Sequence, residues 1–305
     1  MKILLACLLC SASAVIAEEL APILLRNQAY AGTENPRQTL NLAVPARSPD
    51  ASLPLVVFIH GGGWAAGSKM GGLRRLQPLY STGQYATATI GYRLTREAIW
   101  PAQIHDCKAA IRWLRANAGQ YGIDAGRIAL FGLSAGGHLA AMLGTSAEVP
   151  ALEGELGPHA EASSRVACVV DYFGPTRFLP LEGEPAIKGE DNPRSAPARL
   201  LGGLPRDKQE AARSASPLTH ITGDDAPTLI VHGTRDRLVA LEQSEWLRDG
   251  LRQAGVPVTL VTVDGGGHGQ GFGEDVWRVT RDFLEHHLLG IQRDWKDMTI
   301  PAATK

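Results

Sequence analysis

The stretch at residues 127–146, RIALFGLSAGGHLAAMLGTS, most constrains how this chain can fold. The apolar run Ile128–Phe131 stops at a glycine, and helix-compatible apolar spacing resumes after Gly137. This pattern predicts a strand, a sharp turn and a helix, with Ser134 at the apex of the turn. Such a turn strains its apex residue and needs glycine neighbours, because Cβ atoms would obstruct its closure. The serine is therefore predicted to stand above a strand end, beside the N–H groups of a helix N-terminus.

Apolar runs and helix-like stretches alternate along the rest of the chain. Strands joined in this way form a mostly parallel sheet with helices on both faces, so the sequence predicts an α/β fold. With 305 residues, of which 44% are hydrophobic, the chain can bury one sizeable core, and residues 18–305 are predicted to form a single domain. Strands are predicted at residues 28–30, 38–44, 53–59, 86–91, 128–131, 165–172, 228–233 and 258–263. Helices are predicted at residues 73–83, from Pro101 onward, after Gly137, at 241–254 and at 276–289.

The segment at residues 174–222 interrupts this alternation. It is rich in proline, glycine and charged residues and shows little strand pattern. We predict a small cap-like insertion of short helices and loops beside the strand ends, where it would shape a substrate pocket. A surface excursion without function is the alternative.

The N-terminus has the features of an export signal. Lys2 provides a positive charge, residues 3–9 form an apolar stretch, and residues 15–17 offer a small-residue cleavage site. A membrane-spanning helix is a poorer interpretation, because the apolar stretch is short and serines interrupt it. A signal peptide at residues 1–17 predicts a secreted or periplasmic protein, without stable membrane insertion after the signal is removed.

The net charge limits which partners are expected, and the cysteine content bears on whether the chain contains a disulfide. The formal net charge is −1, with 30 basic and 31 acidic residues and no basic stripe, which argues against nucleic acid as a partner. Two cysteines, Cys107 and Cys168, remain after removal of the signal. An oxidising compartment permits a disulfide between them, but both also suit buried core positions, so the two alternatives stay open.

A run of glycines follows the third predicted strand, where residues 60–64 are HGGGW. Consecutive glycines cost backbone entropy, and close approach of N–H groups to a bound oxyanion would give them a purpose. We predict that the N–H groups of Gly62 and Gly63, with that of Ala135 behind the serine, form an oxyanion hole. An ordinary glycine turn is the alternative. His60 is expected to brace this loop through hydrogen bonds.

A serine nucleophile needs a base, and the base needs an acid partner that orients it. His268 is the strongest candidate base, since it lies in a glycine-rich loop between a predicted strand and the last helix. Asp236 directly follows a buried strand and is the strongest candidate acid. The acids at less suitable strand ends are Asp224, Asp225 and Asp264. The remaining histidines are expected to be structural or exposed: His105, His138, His159, His220, His232, His286 and His287.

Acyl transfer is the reaction that these residues predict. Ser134 would attack an ester carbonyl while His268 accepts its proton and Asp236 stabilises the charged imidazole. The acyl-enzyme would then be hydrolysed by water that His268 activates.

Several segments together resemble a known group of enzymes. They are HGGGW (60–64), GYRL (91–94), IHDCKAAIRWLRANA (104–118), GLSAGGHLAA (132–141), FGPT (173–176), ASPLTHI (215–221), LIVHGTRDRLV (229–239) and GGGHG (265–269). Over about residues 26–288 the set resembles the hormone-sensitive-lipase side of the α/β-hydrolases, and more narrowly the bifunctional acetyl-xylan and feruloyl esterase family. The chain order serine, aspartate, histidine is also that of α/β-hydrolases.

This resemblance implies an eight-stranded sheet, no metal or organic cofactor, and hydrolysis of carboxylic esters. Carbohydrate acetyl or feruloyl esters are the family's substrates, so a small-molecule ester is the expected partner. Arg177 departs from the pattern, because relatives often carry an acidic residue there, and it bears on substrate preference. Three other functions stay open: a serine peptidase of the prolyl-oligopeptidase type, an arylformamidase, and a non-catalytic binding module on the same fold.

Overall fold

The computed structural model describes residues 22–46, 52–147, 149–180 and 191–304. The export signal predicted at residues 1–17 lies outside this part of the chain. No helix among the described residues is long and apolar enough to cross a membrane.

Within the described ranges, nine strands form one sheet. They are β1 (Ile23–Ala29), β2 (Thr39–Val44), β3 (Leu53–Ile59), β4 (Ala86–Ile90), β5 (Ile123–Leu133), β6 (Cys168–Tyr172), β7 (Thr228–Gly233), β8 (Val258–Asp264) and β9 (Met298–Pro301). Their order across the sheet is β1-β2-β4-β3-β5-β6-β7-β8-β9. β2 pairs antiparallel with β1 and with β4, and all other pairs are parallel. The carboxyl ends of β3 to β8 therefore share one edge, where their following loops can meet.

Helices connect most of these strands. They are α1 (Gly72–Tyr80), α2 (Ala102–Ala116), α3 (Ala135–Thr145), α4 (Pro150–Glu153), α5 (Ala196–Leu201), α6 (Gln209–Ser214), α7 (Glu242–Gln253) and α8 (Glu274–Leu289). Short 3-10 helices lie at Lys69–Gly71, Ala118–Tyr121, Pro205–Asp207 and Pro217–Thr219. The predicted helices are thus present, with ends that differ by a few residues.

The central strands are buried on both faces of the sheet, which explains their continuous apolar runs. Every residue of β3 is buried. Its alternate side chains Leu55 and Val57 belong to the core beneath α2 and α3, while Val56 and Phe58 belong to the core beneath α1 and α8. α7 packs by Leu247 and Leu251 on β7 and β8. The result is the predicted three-layer α/β arrangement.

The sheet has one strand more than the predicted eight. β9 pairs in parallel with the outer side of β8. It is only four residues long, alternates between half-buried and exposed positions, and ends in a proline. An edge strand needs hydrogen bonds on one side only, so such a short segment pairs without giving a strong sequence signal. The predicted strand number was wrong for this reason.

Short helices occupy the predicted cap-like segment between β6 and β7. α5, α6 and two 3-10 helices lie within it, and its described residues form no strand. This agrees with the predicted mixture of short helices and loops. Residues 181–190 of the segment lie outside the described part of the chain.

A buried ion pair fixes the loop that follows β4. The fully buried Asp106 on α2 accepts from Nη2 of Arg93 at 2.7 Å and from the Arg93 backbone N–H at 2.7 Å. The side-chain amide of Gln38, the residue just before β2, donates to the same carboxylate at 2.8 Å. These contacts hold the loop against α2, so the pair is structural.

Cys107 and Cys168, the two cysteines in the described part of the chain, are buried and neither forms a disulfide. Cys107 belongs to the core beneath α2 and α3, whereas Cys168 belongs to the core beneath α1 and α8. The sheet therefore separates the two thiols. Of the two alternatives, a disulfide or two separate core side chains, the structure shows the second.

Candidate active site

Ser134 lies on the sharp turn between β5 and α3. Its backbone has φ 54° and ψ −121°, a conformation that residues with a side chain rarely adopt. The Ser134 N–H donates to the carbonyl of Tyr172 in β6 at 2.8 Å, which fixes the turn to the neighbouring strand. A Cβ atom on Gly132 would meet the carbonyl of Gly136, and one on Gly136 would meet the carbonyl of Ile59. The glycines are required because three backbone segments approach closely here.

The three predicted catalytic side chains meet beyond the carboxyl ends of β5, β7 and β8. Nε2 of His268 lies 2.9 Å from Oγ of Ser134, and Nδ1 of His268 lies 2.6 Å from Oδ2 of Asp236. An ionised carboxylate only accepts hydrogen bonds, so Nδ1 carries a proton. Nε2 of the neutral ring can then accept the proton of the serine hydroxyl. The arrangement is suited to general-base activation of that hydroxyl.

Four donors surround the Asp236 carboxylate. Oδ1 accepts from the N–H groups of Leu238 at 2.8 Å and Val239 at 3.0 Å. Oδ2 lies 2.6 Å from Nδ1 of His268 and 3.4 Å from Nε2 of His232. Burial raises the pKa of this carboxyl, but the hydrogen bonds from both histidines and both N–H groups outweigh burial and hold it well below its ordinary value. The carboxylate is therefore charged and can stabilise an imidazolium at His268.

His232 is a contact of Asp236 that sequence reasoning missed. Its Nε2 lies 3.0 Å from the carbonyl of Val239, which can only accept, so Nε2 carries a proton and also faces Asp236. Its Nδ1 lies 2.6 Å from Oγ of Ser244. The ring is completely buried. One feature could have found it from the sequence, the spacing of four residues between His232 and Asp236 across the turn after β7.

Two of the three predicted oxyanion donors lie in the wall of this site, and Gly62 precedes one of them in the glycine loop. Gly63 and Ala135 line one cavity together with Ser134. Gly62 and Gly63 have φ values of 118° and 57°, which favour glycine. Among the described residues, no backbone acceptor takes the N–H of Gly62, Gly63 or Ala135. Gly63 and Ala135 thus belong to the cavity wall, and their N–H groups lack a backbone acceptor among the described residues, as the oxyanion-hole hypothesis requires.

His60 holds the glycine loop in place. Its Nδ1 donates to the carbonyl of Gly61 at 2.8 Å, and its ring stacks on Tyr92 with centroids 4.4 Å apart. The Tyr92 hydroxyl donates to the carbonyl of His60 at 2.9 Å. Burial lowers the pKa of His60 to about 4, so the ring is neutral at physiological pH. These contacts match the bracing role expected from the sequence.

His138 ties the end of the glycine loop to the cap-like segment. Its Nδ1 accepts from Nε1 of Trp64 at 3.2 Å, and its Nε2 donates to the carbonyl of Ala215 at 2.7 Å. Burial lowers its pKa to about 4 as well. His138 lies in the first turn of α3 but takes no part in the contacts of Ser134 with His268, as expected.

A cavity of about 780 Å³ opens onto the serine. Its wall is formed by the glycine loop (residues 60–64), the turn that carries Ser134, the cap-like segment and the start of α7. The lining residues are Gly63, Trp64, Ser134, Ala135, Pro175, Arg177, Phe178, Asn192, Ser195, Ala196, Pro197, Arg237, Leu238, Val239, Ala240, Glu242, Gln243, Trp246 and His268. A cavity of this size can hold a small-molecule ester.

Arg177 lies in the wall of this cavity, buried to 9% exposure. Its guanidinium carbon is 3.7 Å from the centre of the Trp246 ring. Gln243 binds its backbone on both sides, accepting from the Arg177 N–H at 2.8 Å and donating to the Arg177 carbonyl at 3.1 Å. Sequence reasoning singled out Arg177 but missed Trp246 and Gln243, since nothing in the sequence pairs residues so far apart.

The weaker acid candidates are engaged elsewhere. Asp224 pairs with Arg165 at 2.5 Å, and the carboxylate of Asp225 accepts from the N–H of Thr222 at 2.9 Å. Asp264 accepts from the Thr234 hydroxyl at 3.3 Å. Within the described ranges, no group of three or more His, Cys, Asp or Glu side chains could hold a metal ion.

Several known proteins with similar sequences or structures are esterases. A carbohydrate esterase from gut microbiota, solved in a truncated form, superposes with a TM-score of 0.79 at 31% identity, covering 89% of this chain and 98% of that one. An esterase from Thermogutta terrifontis, Est2, superposes with a TM-score of 0.71 at 26% identity, covering 86% of this chain and 92% of that one. The α/β-hydrolase fold is thereby confirmed.

Esterase LipC of Mycobacterium tuberculosis is 32% identical over 246 residues, which are 77% of this chain and 58% of LipC. The chain spans about half of the length of the curated relatives that it matches. The model of the BD-FAE family matches residues 40–251, which include the turn that carries Ser134, the glycine loop and Asp236. The chain belongs to the BD-FAE family of α/β-hydrolases.

Proposed function

We propose that this protein is a carboxylic ester hydrolase that works through an acyl-enzyme on Ser134. The observation that carries the proposal is the unbroken series of contacts from the Ser134 hydroxyl through His268 to Asp236, with distances of 2.9 and 2.6 Å. The esterases among its relatives support the same chemistry.

The reaction proceeds in two steps. Ser134 Oγ attacks the ester carbonyl while Nε2 of His268 accepts its proton, and Asp236 stabilises the resulting imidazolium. The N–H groups of Gly62, Gly63 and Ala135 bind the oxyanion, each such donor being worth about 3 kcal/mol in the transition state. Collapse releases the alcohol with the proton from His268. Water, deprotonated by the same imidazole, then attacks the acyl-enzyme and frees the acid.

Short acyl or aryl esters of carbohydrates, such as acetyl or feruloyl esters, are the proposed substrates. The family to which the chain belongs and the carbohydrate esterase that it resembles support this class. A comparison of acetylated xylo-oligosaccharide, methyl ferulate and a proline anilide tests it. Turnover of the first two and not of the anilide is expected, and a preference for the anilide would replace the esterase proposal with a peptidase.

Replacement of the proposed nucleophile tests the mechanism. Ser134→Ala should lower turnover of p-nitrophenyl acetate by about 10⁴-fold or more, because the residual rate then comes only from binding and the oxyanion hole. It should also abolish covalent labelling by an organophosphonate, measured as a mass increase of the intact protein. Ser81→Ala, at an exposed serine beyond the end of α1, is the control and should retain both. Labelling that persists in Ser134→Ala would refute the acyl-enzyme.

We also propose that the protein is exported to the periplasm or the medium after cleavage behind Ala17. The charged, apolar and small-residue regions of residues 1–17 support this. Mass spectrometry of the protein recovered from the periplasmic and medium fractions should find Glu18 as the first residue. A product that retains Met1 in the cytoplasmic fraction would contradict export.

A further inference from the structure

Phe173, the residue after β6, carries a bulky side chain on strained backbone. Its φ is 46°, in the left-handed region that residues other than glycine rarely adopt. Its N–H donates to the carbonyl of Val231 in β7 at 2.9 Å. The N–H of the following Gly174 donates to the buried carboxyl of Asp171 at 2.9 Å. These two hydrogen bonds lie on either side of the strained residue and keep its backbone in this conformation.

Strained backbone of this kind is concentrated around the candidate active site. In the described chain, the residues other than glycine with a positive φ are Asn27, Trp64, Ser134 and Phe173. Ser134 is the proposed nucleophile, and Trp64 ends the glycine loop. Such conformations persist where the surrounding structure enforces them, and they cluster at functional sites. The strain at Phe173 is therefore expected to serve the same site.

The ring of Phe173 packs against the imidazole of His268. The two ring centroids are 4.4 Å apart, and the ring planes meet at 52°. The edge of the phenyl ring lies beside Gly269, where a Cβ atom would be 3.3 Å from Cζ. Phe173 is 5% exposed and is not among the residues that line the serine cavity. It therefore contacts the proposed base without lining the cavity that would hold the substrate.

This contact bears on the charge that His268 gains during acyl transfer. A cation within about 6 Å of the centre of an aromatic ring is attracted by the negative π face, and the attraction is stronger where water is excluded. A neutral imidazole lacks this attraction. An interaction that is stronger in the transition state than in the ground state raises the rate of the chemical step.

We propose that Phe173 is a positioning residue for the base, and that its π electrons stabilise the imidazolium that His268 becomes when Ser134 loses its proton. The inference rests on the proposed function and adds a residue to its mechanism. The proton passes from Oγ of Ser134 to Nε2 of His268 and then to the oxygen of the leaving alcohol, and Phe173 neither gives nor takes a proton. Asp236 stabilises the same charge from Nδ1, at 2.6 Å.

Fluorinated phenylalanines test this inference, because fluorine withdraws electron density from the π face while the ring keeps nearly the same size. Wild type is compared with proteins that carry 4-fluoro-, 3,4,5-trifluoro- or pentafluorophenylalanine at position 173. The measured quantity is kcat/KM for p-nitrophenyl acetate as a function of pH. It should fall stepwise with the number of fluorine atoms, by about tenfold for the pentafluoro ring. The low-pH limb should move to lower pH by about one unit, because the charged imidazole has lost a stabilising contact.

The other charges around His268 stay the same throughout this series. Among the described residues, Asp236 is the ionisable side chain within hydrogen-bond distance of the imidazole, and Arg177, Arg237 and Glu242 line the same cavity. Fluorination changes none of them. The direction of the shift also separates the proposal from a loosened site, since water admitted around the imidazole would favour its charged form and move the limb to higher pH.

Phe283 on α8 is the matched control. Its ring centroid lies 4.4 Å from that of His287, at an interplanar angle of 59°, and it is 2% exposed. It belongs to the same core as Phe173, but its histidine is not part of the candidate site. The fluorinated residues at position 283 should leave kcat/KM and the low-pH limb unchanged. Phe173→Leu, which removes the π face and keeps an apolar side chain, should lower kcat/KM, whereas Phe283→Leu should not.

Three results would overturn the inference. The first is an equal kcat/KM with phenylalanine and pentafluorophenylalanine at position 173, which leaves the esterase proposal intact. The second is a low-pH limb that moves to higher pH in that series. The third is an equal fall in the series at position 283, which would reduce the effect to packing of the core. Wild type that does not hydrolyse p-nitrophenyl acetate would refute the proposed function and this inference with it.

Discussion

At the scale of single residues, His232 is the group whose role can be tested most directly. Its Nε2 lies 3.4 Å from Oδ2 of Asp236, the same oxygen that Nδ1 of His268 contacts at 2.6 Å. His232→Leu should lower kcat by about tenfold with little change in KM, since a hydrogen bond to a charged group is worth about 1.5–3 kcal/mol. The low-pH limb of the rate profile should also move to higher pH, because the carboxylate loses a donor that favours its charged form.

His232→Gln is the matched variant, because its amide N–H can replace Nε2–H. It should recover most of the rate and the wild-type profile. If the leucine and glutamine variants lose the same activity and neither shifts the pH dependence of the rate, then His232 contributes packing and not a hydrogen bond to Asp236.

The carboxyl of Asp171 links stability to pH. It is fully buried at the end of β6, and its Oδ2 has no hydrogen-bond partner in the described structure. Burial raises its pKa to about 7, although the Gly174 N–H and the nearby His232 oppose this. Between pH 4 and 7 the folded state therefore holds a proton on Asp171 that the unfolded state has lost, and the contribution of Asp171 to stability falls as pH rises, by up to about 1.4 kcal/mol per pH unit.

Asp171→Asn removes this titration and keeps an acceptor for Gly174. Urea unfolding at several pH values should show the variant gaining stability relative to wild type from pH 4 to 7, with a constant difference above that. A difference that does not depend on pH would contradict the assignment.

At the scale of elements, the turn between β5 and α3 is where sequence and structure agree most closely. The glycines around Ser134 predicted a close approach of backbone segments, and the structure places the carbonyl of Ile59 where a Cβ of Gly136 would lie. Gly136→Ala should destabilise the fold by about 2–3 kcal/mol and lower activity, because the carbonyl of a central strand cannot move aside.

Gly71→Ala is the control for this prediction. Gly71 precedes α1 with φ −84°, and a Cβ there would meet nothing within 4 Å. Its stability in urea should stay within about 0.5 kcal/mol of wild type. Equal effects of the two substitutions would mean that the approach at Gly136 does not limit the turn.

Strands and helices with a long apolar pattern could be predicted from the sequence, whereas short elements and the edge strand β9 could not. β3 and β7 begin and end at the residues predicted for them. β9 escaped prediction because four half-exposed residues at a sheet edge carry almost no pattern. For the cap-like segment, the sequence predicted short helices and loops but not where each helix begins and ends. These helices are held by contacts with other elements and not by their own periodicity.

At the scale of the whole molecule, the order of strands decided how much of the site the sequence could reveal. Parallel strands bring their carboxyl ends to one edge, so the loops that carry Ser134, Asp236 and His268 were predicted to meet. The pairing of Arg177 with Trp246 joins the exit of β6 to the start of α7, and only the folded chain brings them together. Catalytic geometry was therefore accessible from the sequence, whereas the pocket wall was not.

The same layered architecture determines the state of the cysteines. Cys107 and Cys168 lie in cores on opposite faces of the sheet, and burial raises the pKa of both thiols. No disulfide can join them without unfolding, because their Cα atoms would have to approach to about 5.5–6 Å. The protein without residues 1–17 should therefore melt at the same temperature with and without a reductant. A thiol reagent should find no reactive group in that protein when it is native and two after denaturation, whereas a reductant-dependent melting temperature would mean that the sheet does not separate them.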